Sequence, residues 1–110
     1  MESRYEKKIY LSFLSIHILY HASIDPIYGS WMIEELQHHG YQVGPSHIYP
    51  LLKEMVDEGL LVCIENSDSG RMRKYYSITD KGIGLFQQLN EKITELSHEI
   101  HQKKIGGQHE

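Results

Sequence analysis

Gly70-Arg71-Met72-Arg73-Lys74-Tyr75-Tyr76-Ser77-Ile78-Thr79 gathers three of the chain's eleven Lys and Arg residues at the start of a strand-like run. Upstream, Leu60-Leu61-Val62-Cys63-Ile64 is a second strand-like run, and Asn66-Ser67-Asp68-Ser69-Gly70 between them is rich in turn residues. Two short strands with cations at their tip have the form of the wing in a winged helix-turn-helix. The chain as a whole is acidic, with a formal net charge of −4, so cations concentrated in one place are what a phosphate backbone would meet.

Upstream of the wing, the spacing predicts a helix from Pro45 to Glu58, with Ile48, Leu52 and Met55 buried, Leu51 and Val56 at the margins, and Gly59 as its stop. Pro45 suits the first turn, where its missing N–H is not needed. A helix before it, from about Tyr28 to His39, has Trp31, Met32, Ile33 and Leu36 as apolar positions and ends at Gly40. Two helices joined by a few residues make a helix-turn-helix pattern. An earlier helix from Ile9 to His21 carries apolar residues on more than one face, which predicts burial on two sides, the second against a partner chain. Ser23-Ile24-Asp25-Pro26 breaks it.

Beyond the wing, Thr79-Asp80 caps a helix expected to run to Lys104. Its residues Phe86, Leu89, Ile93, Leu96 and Ile100 recur at alternating spacings of three and four, a coiled-coil seam. An amphipathic helix lying on its own domain has the same spacing, but a helix of about 35 Å outreaches so small a body, so pairing with a second chain is the better account. The expected fold is mainly α with a small β-hairpin: a winged helix-turn-helix with an N-terminal helix (residues 1–79), a long C-terminal dimerisation helix (residues 80–105) and a disordered tail (residues 106–110).

Composition bounds the function. At 110 residues with 40% apolar and 24% charged content, the chain is one folded domain. No apolar run reaches the roughly 20 residues of a membrane span, and His17 and His21 interrupt the one that follows the basic N-terminus. The single Cys63 excludes an internal disulfide framework, agrees with a reducing, cytoplasmic location, and reads as a small buried hydrophobe.

With these residues placed, the chain resembles the PadR family of bacterial and archaeal transcriptional regulators. Three blocks carry the likeness: Tyr28-Gly29-Ser30-Trp31-Met32-Ile33-Glu34-Glu35-Leu36; Ser46-His47-Ile48-Tyr49-Pro50-Leu51-Leu52 through Glu58-Gly59-Leu60-Leu61; and Gly70 through Thr79-Asp80-Lys81-Gly82. The resemblance covers about residues 9 to 90. It implies a homodimeric winged-helix repressor of the compact subgroup, with the C-terminal helix as the main dimer element and, in some relatives, a small hydrophobic effector held between subunits. The chain departs from the family pattern at Ser46-His47, where Gly-Thr is usual, at Glu54, often basic in relatives, and at Trp31, usually tyrosine.

If the Pro45 helix enters a major groove by its N-terminal end, Ser46 and His47 approach base edges and Lys53 a phosphate. Tyr49 lies one position past buried Ile48, and the family pattern gives its hydroxyl a phosphate to reach. Arg71, Arg73 and Lys74 would meet backbone or minor groove. Strand alternation turns Tyr76 and Ile78 inward and Arg73 and Tyr75 outward. Gln42 and Ser30 are weaker phosphate candidates, and Glu54, Asp57 and Glu58 should face away from DNA. Trp31 is a candidate for an effector pocket, against the plainer reading of a core aromatic.

Three other classes compete. His17 and His21 are four apart and His98 and His101 three apart, spacings that permit chelation, but no Cys or carboxylate completes a ligand set in the sequence, so neither metal nor cofactor is expected. No phosphate loop or nucleophile motif points to an enzyme. A winged-helix interaction module that does not read DNA would suit the acidic balance and Glu54, but not the basic wing.

Overall fold

A computed structural model of the chain describes residues 3–68 and 70–102. Its order is α1 (Arg4–Ile24), α2 (Gly29–His38), α3 (Pro45–Asp57), β1 (Leu61–Asp68), β2 (Arg71–Ile78) and α4 (Asp80–Gln102). This is the expected helical fold with one hairpin.

Helix α1 begins five residues before the expected Ile9 and ends three residues after His21. The cause of the early start is a capping box: the Ser3 hydroxyl accepts from the Glu6 amide at 3.1 Å, and the Ser3 amide donates to the Glu6 carboxylate at 2.9 Å. The helix buries Leu14, Ile18, Leu19 and Ala22 along one face. The second buried side is not realised in the single chain, because Tyr5, Ile9, Phe13 and Tyr20 stand exposed on the other.

Helices α2 and α3 share one core cluster with that face of α1. Met32, Leu36, Ile48 and Leu52 are fully enclosed, and Leu51, expected at the margin, is buried with them. Gly40, Gly59 and Gly70 adopt left-handed φ values of 91°, 81° and 76°, which stop α2, stop α3 and turn the wing. The hairpin is longer than its sequence signals imply. Its register runs from Leu61 opposite Ile78 to Asp68 opposite Arg71, so Asn66 to Asp68 belong to the strand. Asn66 and Ser67 are turn formers by propensity, but tertiary pairing overrides it. The α1–α2 link adds one more pairing: Ile27 and Tyr76 exchange both backbone hydrogen bonds, at 2.9 and 2.7 Å.

Thr79 fixes the start of α4. Its hydroxyl donates to the Gly59 carbonyl at 2.6 Å and accepts from the Gly82 amide at 3.0 Å, while the Lys81 ammonium donates to the Glu58 carbonyl at 2.8 Å. Phe86 and Leu89, expected in the dimer seam, pack on the chain's own core. Ile93, Leu96 and Ile100 have no cover, with Leu96 55% exposed. Lys103, Lys104 and the expected tail lie outside the described residues. The chain spans 60 × 34 × 23 Å with a radius of gyration of 16.3 Å, against about 13 Å for a compact domain this long. The excess is α4 projecting past the body.

Candidate nucleic-acid interface

The N-terminal end of α3 stands at the surface. Its cap residue, Gly44, is extended (φ −145°, ψ −169°), and the Gly44 amide donates to Nδ1 of His47 at 3.2 Å. His47 therefore closes its own helix through one nitrogen. In the neutral ring the accepting Nδ1 leaves the proton on Nε2, so His47 presents a donor outward. A donor there complements the acceptor-rich edges of guanine in a major groove. Ser46 beside it is exposed.

Tyr49 follows on the same helix, 44% exposed. Its ring lies over Gly29, where a Cβ would collide with the ring carbons and hydroxyl. Glycine at the start of α2 is thus what lets the Tyr49 ring lie flat while its edge remains accessible. Beyond it, Tyr49, Lys53, Lys74 and Tyr76 line a groove between α3 and the wing. Lys53 is engaged by Asp57 one turn on, at 3.0 Å. Both groups are well exposed, so a phosphate can take the ammonium at small cost.

The wing differs from its expected form in one respect. Arg73 does not stand free: its guanidinium lies 4.0 Å over the Tyr28 ring, and Tyr28 in turn meets Tyr75 edge-on with centroids 5.6 Å apart. Arg73 and Tyr75, expected to point outward, are half-buried, because the α2 cap residue reaches across to that strand face. Tyr76 is buried as expected, and burial beside Cys63 pushes its hydroxyl up to about 12, so it stays neutral. Cys63 is only half-buried. Arg71 and Lys74 are exposed.

On the other side of α3, a second concavity of about 530 Å³ brings Arg4, Lys7 and Lys8 of α1 together with His47, Pro50 and Glu54. Sequence reasoning passes over these three cations. Their signal was available, a basic cluster on one turn of a helix, but nothing in the sequence states that α1 starts beside α3. Glu54, expected to face away, lies in this concavity.

The two histidine pairs singled out by their spacing lie in different settings. His98 and His101 lie on the exposed end of α4, where His101 is occupied by Ser97 of its own helix. His17 and His21 do share a face, with ring centroids 6.5 Å apart, and they meet the end of α2. The Glu35 carboxylate accepts from His39 Nε2 at 3.0 Å and lies 3.4 Å from His21 Nε2, while the His17 ring meets that of His39 at a tilt, with centroids 5.2 Å apart. Burial, together with the neighbouring imidazoles, lowers the pKa of His17; burial and then His39 lower that of His21, with Glu35 opposing both. Glu35 and His39 were not anticipated, because they come from another helix. Among the described residues, no group of three or more His, Cys, Asp or Glu stands where it could hold a metal ion. Trp31, the effector-pocket candidate, is 37% exposed and meets His21 edge-on at 5.2 Å. No helix among the described residues is long and apolar enough to cross a membrane.

Comparison with known proteins agrees with this architecture. The model of the transcriptional regulator PadR-like family matches residues 18–88. The transcriptional regulator Rv3488 of Mycobacterium tuberculosis is 36% identical over 93 residues, covering 84% of this chain and 83% of that protein. Among solved structures, a PadR-like transcriptional regulator from Bacillus cereus is 30% identical with a TM-score of 0.75, over 91% of this chain and 95% of that one. A PadR-like transcription factor from Bacteroides fragilis gives a TM-score of 0.78 at 25% identity, over 91% and 98%. With a helix-turn-helix, a cationic hairpin and a family match across most of its length, the chain belongs to the PadR-like family of DNA-binding transcriptional regulators.

Proposed function

We propose that the chain is a cytoplasmic homodimeric repressor that reads a pseudo-palindromic operator in double-stranded DNA. Each α3 enters one of two major grooves about 34 Å apart, and each wing rests on flanking backbone. The observation that carries this is the exposed N-terminal end of α3, with the His47 donor and Ser46 at its tip and the Lys53–Lys74 groove beside it. Ser46 and His47 meet base edges; Tyr49, Lys53, Arg71, Arg73 and Lys74 meet phosphates.

Dimerisation rests on the uncovered stripe Ile93, Leu96 and Ile100, continued through Phe86 to Tyr20 of α1 at a centroid distance of 6.1 Å. Phe86 and Leu89 serve the chain's own core and anchor the helix that presents the stripe. Repression needs no more than occupancy of a promoter. A small hydrophobic effector, if it acts near Trp31, would change the single tryptophan's emission directly.

The test is binding to an operator selected by the protein from a random duplex pool, beside a scrambled duplex, at two salt concentrations. Arg73→Ala should weaken both complexes, while His47→Ala should alter base preference at one position per half-site. Equal loss on both duplexes from the two substitutions refutes the division of roles. Absence of any binding at low salt favours an interaction module instead.

A further inference from the structure

We propose that Arg4, Lys7 and Lys8 form a second backbone clamp, which grips the phosphate strand on the side of α3 away from the wing. The proposal rests on the operator-binding reading above and extends it to a surface that reading does not use. Three observations carry it.

The first is position. α3 is bordered by two grooves. One, shared with the wing, carries Lys53 and Lys74; the other, shared with α1, carries Arg4, Lys7 and Lys8. His47, at the reading end of α3, is itself part of the second groove's wall. A major groove is about 12 Å wide and is bounded by a phosphate strand on each side. A helix lying in it with cations on both flanks meets both strands at once.

The second is availability. Arg4, Lys7 and Lys8 are exposed, and the ion pairs among the described residues involve none of them. Glu54 is the one acidic residue in that concavity, leaving it net positive. Cations in the first turns of a helix also oppose its dipole, so the fold gains nothing from them there.

The third is direction. Arg4, Lys7 and Lys8 share the α1 face of Leu11 and Ser15, which is turned toward α3. Tyr5, Ile9 and Phe13 occupy the opposite face. The cations therefore stay open when a second copy covers that apolar face, and duplex DNA is the polyanion that reaches them beside His47.

The experiment compares the parent protein, an Arg4→Ala/Lys7→Ala/Lys8→Ala variant and an Arg71→Ala/Lys74→Ala variant on the selected operator. All three are first checked for equal helicity and dimer mass. Each phosphate that is no longer neutralised should reduce the slope of log K against log salt by about 0.9, so the α1 variant should lose between about 2 and 5 per dimer. Ethylation interference should show the phosphates released by the α1 variant on the strand opposite to those released by the wing variant. An unchanged slope for the α1 variant, with a reduced slope for the wing variant, overturns the clamp and leaves operator binding standing. Release of the same phosphates in both variants overturns the two-strand geometry. A parent protein that binds no duplex at low salt overturns both readings.

Discussion

Replacing Gly82 by alanine should destabilise the protein although the residue is helical. Glycine to alanine within a helix ordinarily gains about 0.5–1 kcal/mol, because glycine loses more backbone freedom on folding. At Gly82 a Cβ would run into the Leu60 carbonyl oxygen and stand 2.7 Å from Cγ1 of Ile78. The isoleucine could yield, but the Leu60 oxygen is backbone and accepts from the Thr79 amide at 3.1 Å. Relief requires α4 to move off, which disturbs the Thr79 cap and the Lys81 bond to Glu58. Overpacking costs about 1–3 kcal/mol and a weakened cap about 1 more, so a net loss of about 1–3 kcal/mol remains after the helix gain. Gly84, two residues on, is the internal control: nothing lies within 4 Å of its Cβ position, so Gly84→Ala should stabilise. Urea unfolding of the three proteins at one protomer concentration measures this. For a chain of this length, a loss of 1 kcal/mol lowers Tm by about 4 °C, so Gly82→Ala should melt about 4–12 °C below the parent. Equal or greater stability for Gly82→Ala, or matching effects at the two glycines, refutes the steric argument.

Three further outcomes are expected. Leu96→Glu should convert a dimer to monomers in sedimentation experiments by burying a charge in the seam, whereas Glu95→Lys on the exposed flank should not. His17 and His21 have pKa values below the usual 6.5, so below about that pH the unfolded chain binds more protons and stability falls as the solution is acidified. The denaturation midpoint should decline from pH 7 to pH 5.5 less steeply in His17→Gln than in the parent; a parent midpoint that rises over this range contradicts the assignment. Tyr28→Leu removes the ring under half-buried Arg73, and the missing cation–π attraction, about 0.5–2 kcal/mol, should show as a lower denaturation midpoint, with base preference on the operator unchanged.

The elements were legible because their signals are local. Gly40, Gly59 and Gly70 punctuate the chain where left-handed turns are required, and the apolar spacing of Ile48, Leu52 and Met55 reports the buried face of α3. The start of α1 was also legible, in Ser3-x-x-Glu6, but the apolar run beginning at Ile9 draws attention past it. The site was legible only in part. Arg71, Lys74, Ser46 and His47 advertise themselves, but the stacking of Arg73 on Tyr28 joins positions far apart in the chain. The meeting of His17, His21, Glu35 and His39 likewise depends on how two helices cross. For the long seam, spacing alone cannot distinguish a helix face that covers its own domain from one that awaits another chain. Phe86 and Leu89 do the former.

The pairing of Ile27 with Tyr76 has a consequence for solubility. It closes the outer edge of β2 at one residue, and by strand alternation the backbone groups of Met72 and Lys74 are the ones that face outward along the rest of that edge. Val62, Ile64 and Met72 on the same hairpin are exposed and apolar, the composition on which strands add edge to edge. Arg71 and Lys74 are the charges that discourage such growth. Neutral residues in their place would leave the wing open to self-association, whatever else the two cations touch.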